Sequence, residues 1–587
     1  MEKRSMKLPL QEYYQLLERY LRPQGRRVLL LAALIFGGIG LQLLSPQIVR
    51  AFIDIAQQGG DLAALTRNGV FYLAVTLVAQ GIRLGAAYLT EDVKWRATNW
   101  LRNDLSDHCM QLDMSFHNEH TPGAMIERID GDITELSNFF SQFVLRVLAN
   151  VLLLIGVLVM LYREEWRIGL VFTLFALFVF VLMISLVSYG SRFWGAERQA
   201  SSELFGGLEE WLAGTEDIRA SGGVPYVLDR MQRFTYTLYR AARKAFFAGN
   251  LTWGLSGFLF ALNLALALGY GAYLQQAGAI TIGTVYLIMN YSNALQRPVI
   301  QLARQFQELQ AATASIGRVR ELFAIQPKVQ SPVAPLELPT GPLSVTFDQV
   351  NFGYNEEDLI LRTVDFHLAP GQVLGLLGRT GSGKTTITRL LFRLYDVTAG
   401  AVGLGGQDVR HLALDDVRRS VGMVTQEVQL FQASLRDNLT FFNRAIPDEQ
   451  ITDALHTLGL SSWLAGLEQG LDTRLEGGGR GLSAGEAQLL AFTRVFLKNP
   501  GLVIMDEASS RLDPVTEGLI ERAIDRLLHN RTAIIVAHRL ATVQRADQIM
   551  ILSDGQIVEH GDRVALMARS DSRFSQLLRT GMAEVLA

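Results

Sequence analysis

Six stretches of the chain are apolar at nearly every position, near Val28 to Ile48, Gly69 to Leu89, Phe143 to Tyr162, Ile168 to Tyr189, Leu251 to Tyr273 and Thr281 to Leu302. Each can cross a hydrocarbon layer of roughly 30 Å as a helix, which takes about 20 residues. The last is the least apolar, since it holds Asn290, Asn293, Gln296, Arg297 and Pro298; helical length and position carry its assignment. Between spans two and three (Thr90 to Gln142) and between spans four and five (Ser191 to Asn250) the pattern turns polar while keeping a helical period. These stretches read either as helix pairs carried beyond the membrane, turning near Thr121 to Ile126 and near Trp211 to Gly214, or as plain connecting loops.

After residue 325 the pattern changes. A proline-rich join runs from Gln326 through Pro327 and Pro332 to Pro342, and beyond it short apolar runs alternate with helical patterns. The expected organisation is an all-α transmembrane domain over residues 1–325, a linker over 326–343 and an α/β domain over 344–587, a P-loop nucleotide-binding domain by its run of Gly378, Gly383, Lys384 and Thr385 in the spacing GxxxxGKT. The charged start, MEKRSMKLPLQEYYQLLERYLRPQGRR, reads as an amphipathic leader helix rather than a signal peptide, because the apolar stretch after it is too long.

Charge then orients the spans. Lys3, Arg4, Lys7, Arg19, Arg22, Arg26 and Arg27 precede the first, whereas the turn after span five has no Lys or Arg. Positive flanks stay on the cytoplasmic side, so the N-terminus, both long polar stretches and the second domain are expected inside. The turn Arg163 to Arg167 carries two arginines and weakens this locally. Absence of any targeting extension points to a bacterial inner membrane. With 54 Lys+Arg against 57 Asp+Glu there is no cationic surplus to hold a nucleic acid. A single cysteine, Cys109, excludes an intramolecular disulfide and a multi-cysteine metal site. Polar side chains in or beside the spans are Arg83, Arg146, Asn150, Asn250, Asn263, Asn290 and Asn293. Such groups face a cavity or bond between helices.

The second domain carries explicit chemistry. The buried-strand run Gln372 to Leu377 leads into Gly378-Arg379-Thr380-Gly381-Ser382-Gly383-Lys384-Thr385-Thr386 and an apolar helix, the strand–loop–helix setting of a phosphate-binding loop. Glycines let backbone N–H groups curl around phosphate oxygens, Lys384 would meet the β and γ phosphates, and Thr385 would place its hydroxyl on Mg²⁺. A second magnesium contact should come from an acid ending another buried strand. Leu502 to Asp506 supplies it in Asp506, and Glu507 follows in place to polarise an attacking water.

With these motifs in this order behind six spans, nearly the whole chain resembles the half-transporters of ATP-binding-cassette exporters. The resemblance implies further roles. Tyr354 would stack on adenine, Gln426 would sense magnesium and the membrane domain, and His538 would contact the γ phosphate. Leu482-Ser483-Ala484-Gly485-Glu486 is similar to the family's LSGGQ segment, so Ser483 and Gly485 would contact ATP held by the opposite subunit and a monomer would be catalytically incomplete. Implied ligands and partners are ATP, Mg²⁺, a second half-transporter, membrane lipid and a hydrophobic or amphipathic substrate (drug, lipid or peptide), with no nucleic acid.

Departures from the family pattern bear on the dimer. Ala484 and Glu486 stand where Gly and Gln are usual, Arg511 where a small residue is usual, and Glu476 falls one position early. A carboxylate near a triphosphate weakens binding if it points inward. The chain therefore pairs either with itself or with an unlike half-transporter that shares one modified ATP site. The layout resembles exporters rather than importers; lipid flipping is an alternative task. A soluble ATPase of this class would lack spans, and a gated channel would conduct without ATP.

Overall fold

The computed structural model describes residues 18–138, 144–355, 358–425, 428–479, 481–506, 514–537 and 543–580. Most of the expected leader, residues 1–17, lies outside them. By contacts the chain divides into two compact units. Met1–Met110 with Pro122–Ile325 forms the first, and Gln111–Thr121 with Gln326–Ala587 the second.

The first unit is helical: α1 (Gly25–Gln57), α2 (Leu62–Gln111), α3 (Val144–Glu164), α4 (Trp166–Ala213), α5 (Val224–Gln276), α6 (Ile282–Ala294) and α7 (Gln296–Ala324). Five of them, α1 to α5, are long and apolar enough to cross a membrane. α2, α4 and α5 hold 50, 48 and 53 residues. At about 1.5 Å per residue each exceeds roughly 70 Å, more than twice a hydrocarbon core. Both polar stretches thus continue the spans as helix. The α4–α5 turn falls where expected, with α4 ending at Ala213 and Gly222 (φ 66°) supplying the left-handed corner before α5.

The sixth predicted span differs, for it is broken at Leu295 into α6 and α7. Pro298 has no N–H to give the Ala294 carbonyl. The bonds from Leu295 N–H to the Tyr291 carbonyl and from Val299 N–H to the Leu295 carbonyl carry the helical repeat across the joint. Buried amides and hydroxyls settle where several span residues go. Asn263, 1% exposed, donates to Ser292 Oγ at 2.6 Å and ties α5 to α6. Tyr291 donates from its buried phenol to the Leu43 carbonyl at 2.8 Å. Asn250 and Asn290 bond within their own helices. Arg50, beyond the end of the first span, pairs with Glu164 at 2.7 Å and with Asp54.

Between α2 and α3 the chain was expected to turn near Thr121 to Ile126. Instead Gln111–Thr121, with a helical turn at Met114–Glu119, groups with the second unit, and Pro122–Ile126 starts the return. On that return the π-helical turn Glu127–Asp132 presents the buried Asp132 to α7. Ser315 Oγ donates to it at 3.0 Å and Arg318 Nε at 2.9 Å.

In the second unit β1 (Val345–Phe352), β2 (Leu361–Leu368), β4 (Ala399–Leu404) and β5 (Gln407–Asp408) form an antiparallel sheet in the order β2-β1-β4-β5. A six-stranded sheet runs β10-β9-β3-β8-β7-β6. It is built from β3 (Val373–Gly378), β6 (Val421–Val424), β7 (Leu502–Asp506), β8 (Thr532–Val536), β9 (Gln548–Ser553) and β10 (Gln556–Asp562). All its pairings are parallel except β9 with β10. β3 and β8 are buried at every position, which is why they read as unbroken apolar runs. Their side chains alternate between two cores. Leu374, Leu376, Ile534 and Val536 pack with the antiparallel sheet, and Val373, Leu377, Ala533 and Ile535 with the helices on the other side.

Candidate functional site

Parallel strands end together, and the carboxyl ends of β3, β6, β7 and β8 define one edge of the sheet. Ligands of such folds bind outside that edge. β3 turns there into the loop Gly378 to Gly383, and helix α8 (Lys384–Leu391) begins at Lys384. Two glycines are sterically required. A Cβ at Gly378 would sit 2.5 Å from the Leu552 carbonyl oxygen, and one at Gly383 (φ 106°) 2.7 Å from Leu361 Cδ2. Arg379, Thr380, Gly381 and Thr385 are exposed around the loop, while Ser382 and Thr386 are buried.

Lys384 is 7% exposed, and its ammonium donates to the Gly378 carbonyl at 2.6 Å and the Arg379 carbonyl at 2.9 Å. Burial pushes its pKa below the ordinary lysine value, while the negative charge of Asp506 acts in the opposite sense. The ammonium thus spans the loop mouth within the field of the acid that ends β7. Ser382 Oγ is buried without a hydrogen-bond partner. A buried hydroxyl left over in a ring of backbone N–H groups and a lysine fits a phosphate with its cation. Asp506 and the exposed Thr385 hydroxyl are oxygen donors of the kind magnesium takes, one or two from protein and the rest from water and phosphate. Among the described residues there is no cluster of three or more His, Cys, Asp or Glu to hold a metal alone. Glu507, Gln426 and His538 lie outside the described residues, as does Arg511; the strands they follow, β7, β6 and β8, end at this edge.

Tyr354 follows β1, half exposed, with its hydroxyl 3.2 Å from Thr386 Oγ1 and accepting from Arg389 Nη1 at 3.0 Å. The Arg389 guanidinium also lies over its ring. The tyrosine is therefore fixed beside α8. Its other edge meets Tyr395 in a T-shaped contact, centroids 5.2 Å apart, and the Tyr395 hydroxyl accepts from Asn118 Nδ2 at 2.9 Å. Asn118 lies in Gln111–Thr121, whose Asp113 carboxylate also accepts the Lys328 and Val329 backbone N–H groups at 2.7 and 3.2 Å. Sequence reasoning misses Tyr395, Asn118 and Arg389. Only the fold brings together positions so far apart.

Ser483 and Gly485 are not brought to the loop by any of these contacts. They open helix α9 (Ala484–Lys498), which packs against Pro514–Leu528, Leu435–Thr440, Asp448–Thr457 and β6. Ser483 caps it. Its hydroxyl accepts the Glu486 N–H at 3.2 Å, and the Glu486 carboxylate accepts the Ser483 N–H at 2.7 Å. Glu486 thus completes a reciprocal cap, laying its charge against the start of the helix. A cavity of about 1080 Å³ lies elsewhere again, between Phe392, Met423, Phe431, Phe441, Arg494 and Lys498. Burial lowers the pKa of both Arg494 and Lys498.

Two family models match the chain, the ABC transporter transmembrane region over residues 28–299 and the ABC transporter region over residues 361–510. The fatty acid ABC transporter ATP-binding/permease protein of Mycobacterium bovis is 29% identical over 513 residues, 87% of this chain and 81% of the relative. The ATP-dependent lipid A-core flippase of Syntrophus aciditrophicus is 28% identical, covering 85% and 82%. A multidrug resistance ABC transporter ATP-binding and permease protein of Lactococcus lactis is 29% identical, covering 90% and 89%. The solved structure of a bacterial Atm1-family ABC exporter with ATP bound superimposes with a TM-score of 0.79 at 24% identity, covering 95% of this chain and 98% of that one, which shows the shared fold.

Proposed function

Since the chain belongs to the ATP-binding-cassette transporters, its membrane-helix region preceding its ATPase region, we propose that it works as an exporter half-transporter, coupling ATP hydrolysis to outward movement of a hydrophobic or amphipathic substrate. The observation that carries this reading is the Gly378 to Gly383 loop with Lys384 and Asp506 at one sheet edge, in a chain that also folds α1 to α5 as membrane-length helices. The relatives named for fatty acid, lipid A-core and multidrug transport support an apolar or amphipathic cargo, and lipid flipping is a form of the same task. The basic leader and the basic-poor turn after the fifth span support an inner-membrane protein with the N-terminus and ATPase unit in the cytoplasm.

In this mechanism ATP lies along the loop. Lys384 exchanges its two carbonyl contacts for β and γ phosphate oxygens, and backbone N–H groups from Gly381 to Thr386 hold the rest. Tyr354, braced by Arg389 and Tyr395, stacks on the adenine. Thr385, Gln426 and Asp506 hold Mg²⁺, which neutralises phosphate charge when bound. Glu507 polarises the attacking water and His538 contacts the γ phosphate. Ser483 and Gly485 reach the ATP of the opposite subunit, so two chains form the working unit. Closing and reopening of the paired ATPase units alternates access to the substrate path.

A second reading of the dimer rests on Glu486. A carboxylate capping α9 sets a negative charge where a partner's triphosphate would dock, which favours pairing with an unlike half-transporter that shares one weakened site. Co-purification of such a subunit supports that pairing; a fully active homodimer removes it. The function itself is tested by ATP hydrolysis in lipid nanodiscs, with Glu507→Gln and Lys384→Ala beside the unmodified chain. Loss of hydrolysis in both variants is expected. Hydrolysis that survives both, or ion conductance without ATP, overturns the reading.

A further inference from the structure

Along α1 the side that meets the other helices changes character partway. Ile39 and Leu43, nearer the cytoplasm in the proposed orientation, pack against the apolar cluster that α3, α4, α5 and α6 share. Past Leu43 the same side turns polar at Gln47, Arg50 and Asp54, three and four residues apart and so on one helix face. Gln47 donates from Nε2 to the Tyr291 hydroxyl of α6 at 3.3 Å. Arg50 reaches Glu164, the last residue of α3, at 2.7 Å, and Asp54 accepts the Gly283 N–H at the start of α6 at 3.0 Å. These ties join the outer ends of three helices.

The change falls at Pro46, inside α1. Pro46 has no N–H to give the Gln42 carbonyl, and helices bend at such positions. The segment before it is fixed. Tyr291 donates to the Leu43 carbonyl at 2.8 Å, and a Cβ at Gly156 of α3 would sit 2.7 Å from Leu43 Cδ1. Beyond it Gln47–Gln57 runs on for roughly 16 Å at the helical rise and closes against α6. A Cβ at Gly283 would lie 2.5 Å from Asp54 Oδ1 and 2.6 Å from the Arg50 carbonyl oxygen, so only glycine admits this approach.

The chemistry of the seam suits parting. Arg50, Glu164 and Asp54 have mostly buried side chains. Glu164 stands at the C-terminus of α3, where the helix dipole disfavours a carboxylate, and Arg50 offsets this. A buried ion pair adds little net stability, because both partners recover hydration when water enters. An apolar seam recovers nothing. Ala267 and Leu274 of α5 share their cluster with Leu287 and Ile288 of α6, and exposing them costs about 25 cal/mol for each Å². Of these two sides of α6, the one facing α1 therefore opens to water more readily. We infer that Gln47–Gln57 is an outer gate that swings about Pro46, latched shut by Arg50 on Glu164 and by Asp54 on the Gly283 N–H, and that it parts from α3 and α6 when substrate leaves. The inference rests on the export reading and names the element that opens outward.

The test is water access to the seam in the full chain in nanodiscs, with Gln47→Cys as reporter and Cys109→Ala removing the native thiol. A charged methanethiosulfonate labels position 47 where water reaches it. Labelling should be slow without ATP. ATP added to the Glu507→Gln version, which holds it unhydrolysed, should speed labelling at least about tenfold. Arg50→Gln or Glu164→Gln should accelerate it about tenfold without ATP, the effect of losing a hydrogen bond between charged groups, and Arg50→Lys should keep most of the protection. Equal labelling with and without ATP, or labelling unchanged in both Gln variants, overturns the inference and leaves Arg50 as a static link. Where a Gln variant fails to fold, the response of the unaltered latch to ATP decides. ATP hydrolysis is measured on the same nanodiscs with Glu507 intact. A seam that opens in the Gln variants of a chain that never hydrolyses ATP refutes the export reading alone; hydrolysis with a seam that never opens refutes the gate alone.

Discussion

Replacing Glu486 with Gln isolates one charge at the start of α9. The Glu486 carboxylate lies 2.7 Å from the Ser483 N–H, against the residue proposed to meet the γ phosphate across the dimer. Gln can fill the same position of the reciprocal cap, so the helix is retained. The variant forfeits a carboxylate–dipole attraction of about 0.3–1 kcal/mol, a small change in stability. Against that, it removes a negative charge from beside a triphosphate. Two unit charges about 7 Å apart interact by about 0.6 kcal/mol at the dielectric of water and about 2.4 kcal/mol at an effective constant of 20. Glu486 is half-buried, and salt screens such a pair over about 8 Å. The net gain in ATP binding is then about 1 kcal/mol, roughly fivefold in half-saturating concentration. The assay is ATP hydrolysis in nanodiscs against ATP concentration, at about 50 mM and about 500 mM NaCl. The variant should show the lower KM at low salt, with the difference narrowing at high salt. An unchanged KM at both salts, or a gain independent of salt, refutes the electrostatic reasoning.

Three further outcomes follow from buried contacts. Burial raises the Cys109 pKa, so its thiolate is scarce near neutral pH and becomes abundant only at a higher pH than for a free thiol. Maleimide at neutral pH should label the folded chain at least about tenfold more slowly than the denatured one, and equal rates contradict this. Tyr395→Phe removes the Asn118 bond, worth about 0.5–1.5 kcal/mol, while keeping the ring against Tyr354. Substrate stimulation of hydrolysis should fall with the KM for ATP retained, whereas Tyr395→Ala should also raise that KM. Asp132→Asn weakens the contacts with Ser315 and Arg318 by about 1 kcal/mol, below the usual 1.5–3 for bonds to charged groups because Arg318 is half exposed. It should shorten the half-life of activity on heating.

The membrane helices and the phosphate loop are legible in the sequence because each rests on local physics. Hydropathy over about 20 residues defines a span, and strand, glycines, Lys384 and helix follow one another without interruption. The break at Leu295 is also local, yet hydropathy does not register a missing N–H at Pro298. Ser483 and Glu486 have the spacing of a reciprocal cap; weighing Glu486 only as a charge facing ATP hides the bond that orients it. Tyr395, Asn118 and Asp132 are beyond any local pattern, since each acquires its partner from a distant part of the chain. Asn263 could serve a cavity or a helix contact, and its 2.6 Å bond to Ser292 decides for the contact.

Gln111–Thr121 belongs to the ATPase unit although some two hundred residues separate it from the rest of that unit in the chain. For anyone recombining transporters, the proline-rich join after Ile325 is therefore a misleading place to cut. An ATPase half moved into a foreign membrane half at that join would leave behind the partner of Tyr395 and the acid that accepts the Lys328 and Val329 N–H groups. A functioning chimera needs two grafts, the C-terminal half and this short insert from upstream. The two segments should also co-vary in evolution as one heritable module.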